Sequence, residues 1–189
     1  MAKPVLSIAD AASRLLSGGT FAAGGPNLTY GFRATEPGTM PSDAAGFSQF
    51  NTQQILAVEL ALRAWSDVAN IQFQRVGAGD SGPGAYSDDA TLLLANYSSG
   101  ASGSEAFSYL PGSFGNRSST SRQGDSWYNS TFSYNVSPQV LGYGQQVLVH
   151  EIGHALGLTH PSDYDADGSA PTAITYAADA DFMQDSREY

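Results

Sequence analysis

Apolar residues along this chain recur at two spacings, and each spacing predicts an element. Between Thr52 and Ala69, the residues Ile55, Val58, Leu62, Trp65 and Ala69 step by three and four. That stripe predicts a long amphipathic helix, with Asn51 as N-cap and Asn70 as terminator. A shorter stripe, Ile8, Ala11, Ala12 and Leu15, predicts a helix within residues 5–17, stopped by Gly18-Gly19. Strict alternation from Ile71 to Val76 predicts a half-buried strand, and Leu28 to Phe32 a second. The unbroken run from Thr91 to Ala95 is short enough for a strand buried on both faces. Residues 97–135 hold twelve serines and five glycines, so loops dominate. Two further strands are expected inside them, Ala106 to Leu110 and Ser126 to Asn129. A second helix is expected from Gly144 to Gly157. Beyond Pro161 the chain holds seven acids against one arginine and reads as irregular.

Composition narrows the function classes. At 189 residues the chain fits one domain, and its net charge is −10. One lysine and seven scattered arginines form no basic stripe, which argues against nucleic acid and anionic membranes as partners. No apolar run approaches the ~20 residues a spanning helix needs. No basic, apolar, small-residue sequence of a cleavable signal peptide opens the chain. The absence of cysteine excludes a disulfide framework, a thiolate metal site and a cysteine nucleophile, and leans towards a bacterial source. Five glycosylation sequons, at Asn27, Asn96, Asn116, Asn129 and Asn135, read as incidental in a chain this rich in Asn, Ser and Thr.

All three histidines fall within eleven positions, His150-Glu151-Ile152-Gly153-His154-Ala155-Leu156-Gly157-Leu158-Thr159-His160. The pattern is H-E-x-x-H-x-x-G-x-x-H. A shuffle of this composition yields it roughly five times in ten million, so a chance origin is set aside. On a helix, His150 and His154 stand one turn apart and can reach one zinc ion. A continued helix would carry His160 about 9 Å further along the axis, so the helix must stop and the chain swing back. Gly157 permits the positive-φ turn this requires. Three neutral ligands leave one position open, the mark of a catalytic zinc. Glu151, beside a ligand but not one itself, is placed to take a proton from the zinc-bound water and pass it to a leaving amine. The expected reaction is peptide-bond hydrolysis. The rival expectation is a non-catalytic zinc-binding module that docks peptides or assembles with another chain.

At these residues the chain resembles the metzincin zinc peptidases. Pro161 after the third histidine, with Ser162-Asp163-Tyr164 following, is similar to the serralysins, secreted bacterial metalloproteases. The likeness extends to Ala61–Ile71, to Ala106–Pro111 and to Gly124–Asn129. It implies an α+β, zincin-like catalytic domain: a twisted, mostly parallel sheet, a long backing helix, and a zinc-binding helix below the cleft. It also implies that Ala106, Phe107, Ser108, Tyr109 and Leu110 form the strand along which an extended protein or peptide substrate pairs. Under this resemblance residues 1–25 are an N-terminal helix and linker, 26–143 the sheet, backing helix and loops, 144–160 the zinc helix and turn, and 161–189 an acidic segment.

The resemblance also marks a departure. Metzincins follow the third histidine with a methionine turn, in serralysins with a tyrosine two residues later. Met183 is the only later methionine, and Asp185 stands where that tyrosine belongs. The expectation is a domain incomplete at its C-terminus and poorly active alone, its floor supplied by a further segment or a second chain. Calcium is expected mainly in a β-roll of that further segment. Asp163–Gly168 mimics the opening of an EF-hand loop, but Ile174 stands where the closing glutamate belongs.

Overall fold

The computed structural model describes residues 3–19, 27–38, 44–100, 104–112, 123–162 and 175–185. The long apolar stripe forms helix α2, Thr52–Val68. Asn51 caps it as expected, and Gln54 completes a reciprocal capping box that satisfies two backbone donors at once. Ile55, Val58 and Leu62 face the core, with Trp65 at its margin.

The strands are β1 (Asn27–Phe32), β3 (Gln72–Arg75), β4 (Leu92–Tyr97), β6 (Ala106–Ser108) and β7 (Asp125–Asn129), ordered β3-β1-β4-β7-β6. β1 pairs in parallel with β3 and β4, and β4 with β7. Only β6 runs antiparallel, on the outer side of β7. The sheet is therefore mostly parallel, as the α+β expectation requires. β4 lies at its centre, which explains its unbroken apolar run. Leu92 and Leu94 join the core beneath α2, while Ala95 and Tyr97 join Trp127 on the opposite face.

Helix α4, Tyr143–Ala155, packs beside α2 through Val147, Leu148, Ile152 and Ala155. Gly153 sets their separation: a Cβ there would lie 2.9 Å from the Trp65 ring. The Trp65 indole also donates to the Val149 carbonyl at 3.1 Å.

Several elements correct the sequence reading. Helix α1, Ile8–Arg14, buries none of its residues, and Ile8 is 90% exposed. Its apolar spacing therefore does not mark a core face. A two-residue pairing joins β2 (Ala44–Ala45) to β5 (Ser99–Gly100), and short helices α3 (Ser133–Val136) and α5 (Tyr176–Asp179) were not anticipated. α5 lies in the segment expected to be irregular; Thr175 accepts from the Ala178 amide and caps it. The EF-hand-like stretch lies outside the described residues. Three sequon asparagines, Asn96, Asn129 and Asn135, are buried. Asn96 exchanges two side-chain hydrogen bonds with Gln54, at 2.7 and 3.1 Å, tying β4 to the start of α2. No helix among the described residues is long and apolar enough to cross a membrane.

Candidate metal centre

α4 presents its core residues to α2 and leaves His150 and His154 on the side that faces outward. It ends in a Schellman motif. The Leu158 amide donates to the Gly153 carbonyl at 3.0 Å, and the Gly157 amide to that of His154 at 2.9 Å. Gly157 holds φ at +108°, the left-handed conformation anticipated for it. The chain then reverses and brings His160 back over the last turn of the helix.

The three imidazoles converge. Nε2 of His150 lies 3.0 Å from Nε2 of His154 and 3.3 Å from Nε2 of His160. One ligand atom from each side chain falls within 4.8 Å of the others, and this is the only such group among the described residues. His154 Nδ1 sits 2.7 Å from the Leu158 carbonyl. A carbonyl only accepts, so Nδ1 carries the proton and Nε2 keeps its lone pair for a cation. Desolvation within the cluster, with His154 and His160 as neighbours, lowers the His150 pKa to about 4. It is therefore a neutral donor at ordinary pH. Converging imidazoles suit zinc, since each can offer a ring-nitrogen lone pair.

Glu151 leaves α4 on the inner side. It is 6% exposed, and its Oε2 has no hydrogen-bond partner among the described residues. Burial pushes its pKa up to about 7, and a hydrogen bond from Ser108 opposes the rise. Ser108 also lies 2.8 Å, Oγ to Oγ, from Ser126, its partner across the β6–β7 pair. Beneath them Tyr128 is fully buried, and burial, reinforced by the Glu151 charge, raises its pKa well above 10.

Of the expected substrate-pairing residues, Ala106, Phe107 and Ser108 form the outermost strand. Tyr109 continues the ladder by donating to the Asp125 carbonyl at 2.9 Å. Leu110 lies past the last pairing and is 39% exposed. The sequence reading did not find the contact between Ser108 and Glu151, nor the carbonyl that orients His154. The first needs two strands in register, and the second is a backbone atom that no residue type announces.

Comparison with known proteins agrees with this geometry. Residues 27–173 match the model of the peptidase M10 family, the matrixins. The chain is 40% identical over 196 residues to a metallopeptidase AprA of Pseudomonas marginalis, covering 99% of this chain and 38% of that protein. It is 42% identical over 165 residues to a serralysin of Photorhabdus sp. (strain Az29), covering 86% of this chain and 31% of that one. It is 36% identical over 185 residues to serralysin C of Dickeya chrysanthemi, covering 94% and 37%. The chain thus spans less than two fifths of the length of these curated relatives. With the family model covering most of its length, the chain belongs to the matrixin family of peptidases.

Proposed function

We propose that this chain is the catalytic domain of a zinc endopeptidase that cleaves extended segments of protein substrates. His150, His154 and His160 would hold the ion, and Glu151 would handle the proton. The observation that carries this reading is the convergence of three Nε2 atoms and, on the residue that follows His150, a buried carboxylate oxygen with no hydrogen-bond partner among the described residues. When bound, zinc supplies Lewis acidity, lowering the pKa of a ligating water towards ~7 and polarising a carbonyl. The chain's own residues do the rest. Glu151, buried and next in sequence to a ligand, would accept a proton and release it to a departing amine. Oε2, without a hydrogen-bond partner among the described residues, is the oxygen available for that exchange. The outer edge of β6, with Tyr109 and Leu110 following, offers backbone donors and acceptors to an extended peptide.

For the whole protein the serralysin likeness supports secretion by a bacterium. Calcium and a further segment completing the floor of the site are proposed for the length that the relatives have beyond this chain.

The test uses the full-length protein, with elemental analysis beside casein hydrolysis. Zinc is expected at one equivalent. Glu151→Ala should lower kcat by roughly 10²–10⁴ while retaining the metal. Equal hydrolysis by wild type and variant would sink the proposed role. Peptide binding without cleavage by the wild type would favour a docking module.

A further inference from the structure

The residues between His154 and His160 are held from outside the helix. Leu15 to Ser17, just past α1, run antiparallel to Gly157–Thr159. The Ser17 amide donates to the Gly157 carbonyl at 2.9 Å, and the Thr159 amide to that of Leu15 at 2.7 Å. Leu16 and Leu158 face each other across a β-bridge. Both ends of this pairing bear on histidines. Leu158 supplies the carbonyl that orients His154, and Thr159 immediately precedes His160. Apolar packing contributes little to the hold. Leu16 is 65% exposed, α1 buries no residue, and among the described residues the main core contains nothing before Tyr30.

A second segment grips the same turn from beyond His160. The Ser162 hydroxyl donates to Asp185 and accepts from the Asp181 amide. This segment is tied to the N-terminal one in turn. The Gln184 side chain donates to the Leu6 carbonyl at 2.7 Å and accepts from the Leu6 amide, and the Met183 amide donates to Pro4.

We infer that Leu15 to Ser17 act as a positioning strap for the metal centre, fixing the link that aims His154 and His160 and so setting metal affinity. This rests on the zinc reading above. The physical ground is that a ligand set binds as tightly as it is preorganised, and outer partners of ligating histidines contribute to that. The link holds a left-handed glycine, and its apolar contacts with the main core, through Ala155 and the half-buried Leu156, all precede that glycine. Its own Schellman bonds end at Leu158, so the strap supplies the Thr159 restraint.

The experiment measures zinc affinity of the full-length protein by competition with a chromophoric chelator, and the visible spectrum of the cobalt-substituted form. Ser17→Pro removes the amide hydrogen donated to Gly157, whereas Ser17→Ala keeps it. Gly19→Ala displaces the strap independently, because a Cβ there would lie 1.8 Å from the Pro111 carbonyl oxygen. Ser17→Pro and Gly19→Ala should each weaken zinc roughly tenfold or more and alter the cobalt bands, while Ser17→Ala stays within about twofold of wild type. The metal-free melting temperature should be unchanged. Zinc affinity within about twofold of wild type in both strap variants would overturn the inference. So would an equal loss in Ser17→Ala, or a loss that appears only where the metal-free protein also melts earlier. Should Ser17→Pro fail to fold, Gly19→Ala decides alone. A wild type that binds no zinc would overturn the metal reading itself, which separates the two failures.

Discussion

Helices α2 and α1 have similar apolar spacing in the sequence and opposite fates in the fold. α2 buries Ile55, Val58, Ala61 and Leu62 between the sheet and α4. α1 buries nothing, and the strap beyond it is held by backbone hydrogen bonds to the histidine turn. One region is held by area removed from water, the other by a few directional bonds. The candidate metal centre straddles the two. His150, Glu151 and His154 stand on a helix that belongs to the packed region, while His160 hangs from the bonded one. Global stability should therefore reside in the first region, and precision at the third ligand in the second.

The largest effect that would break this contrast is a core truncation. Ile55→Ala should cost about 2–5 kcal/mol of unfolding free energy in a urea titration, since Ile55 is fully buried. A loss comparable to that of a surface change would place the packed region elsewhere.

Next comes the charge buried on α4. The Glu151 pKa is about 7 in the folded protein against 4.5 for an ordinary glutamate, so between these values the folded state binds the extra proton. Stability of the metal-free protein therefore falls as pH rises through this window. The penalty is complete above pH 7 and absent below 4.5, and it amounts to about 3 kcal/mol. Metal-free Glu151→Gln should accordingly be more stable than wild type at pH 8, by up to that amount, with the gap closing near pH 4. A gap independent of pH would show that the carboxylate is not held in a desolvated place. His150 contributes in the opposite sense in both proteins and cancels from the comparison. Its pKa of about 4 makes stability rise with pH between about 4 and 6.5.

The smallest effect sharpens the contrast from the other side. Ile8→Ala, at a residue 90% exposed, should shift unfolding by less than about 0.5 kcal/mol. A loss near that of Ile55→Ala would mean that α1 belongs to the packed region after all.

Ile8 and Ile55 also show where sequence reading succeeds and fails. Periodicity reveals that a stretch is amphipathic, not that a partner exists for its apolar side. α2, β1, β3 and β4 were legible because sheet and helix bury each other. The three-histidine pattern was legible because its geometry is local, fixed by one helix and one turn. What stayed hidden is pairing between distant polar residues. Arg33 and Asp125, each 1% exposed and 2.5 Å apart, carry no local sign of their buried ion pair. Asn96 and Asn135 read as incidental sequons, yet both are buried, one bonded to Gln54 and the other to the Glu105 carbonyl. The Ser108 contact with Glu151 is of the same kind. Such partners are assembled by topology, and no spacing rule along the chain encodes topology.

The approach of Trp65 to Gly153 carries a consequence for how this centre can change over evolutionary time. Gly153 is one of the unspecified positions of the histidine pattern, and a helix interior usually penalises glycine by about 1 kcal/mol. Here it is the slot into which an indole from the neighbouring helix fits, and any added carbon would lie only 2.9 Å from that ring, too close to be accommodated. The two sites therefore share one volume. A bulkier residue at 153 requires a slimmer one at 65: the first exchange alone would lever α4, with its two histidines, away from α2, and the second alone would leave a void between the helices. A position that chemistry leaves open is thus closed by geometry, and the drift of the motif is constrained by a residue that touches no ligand.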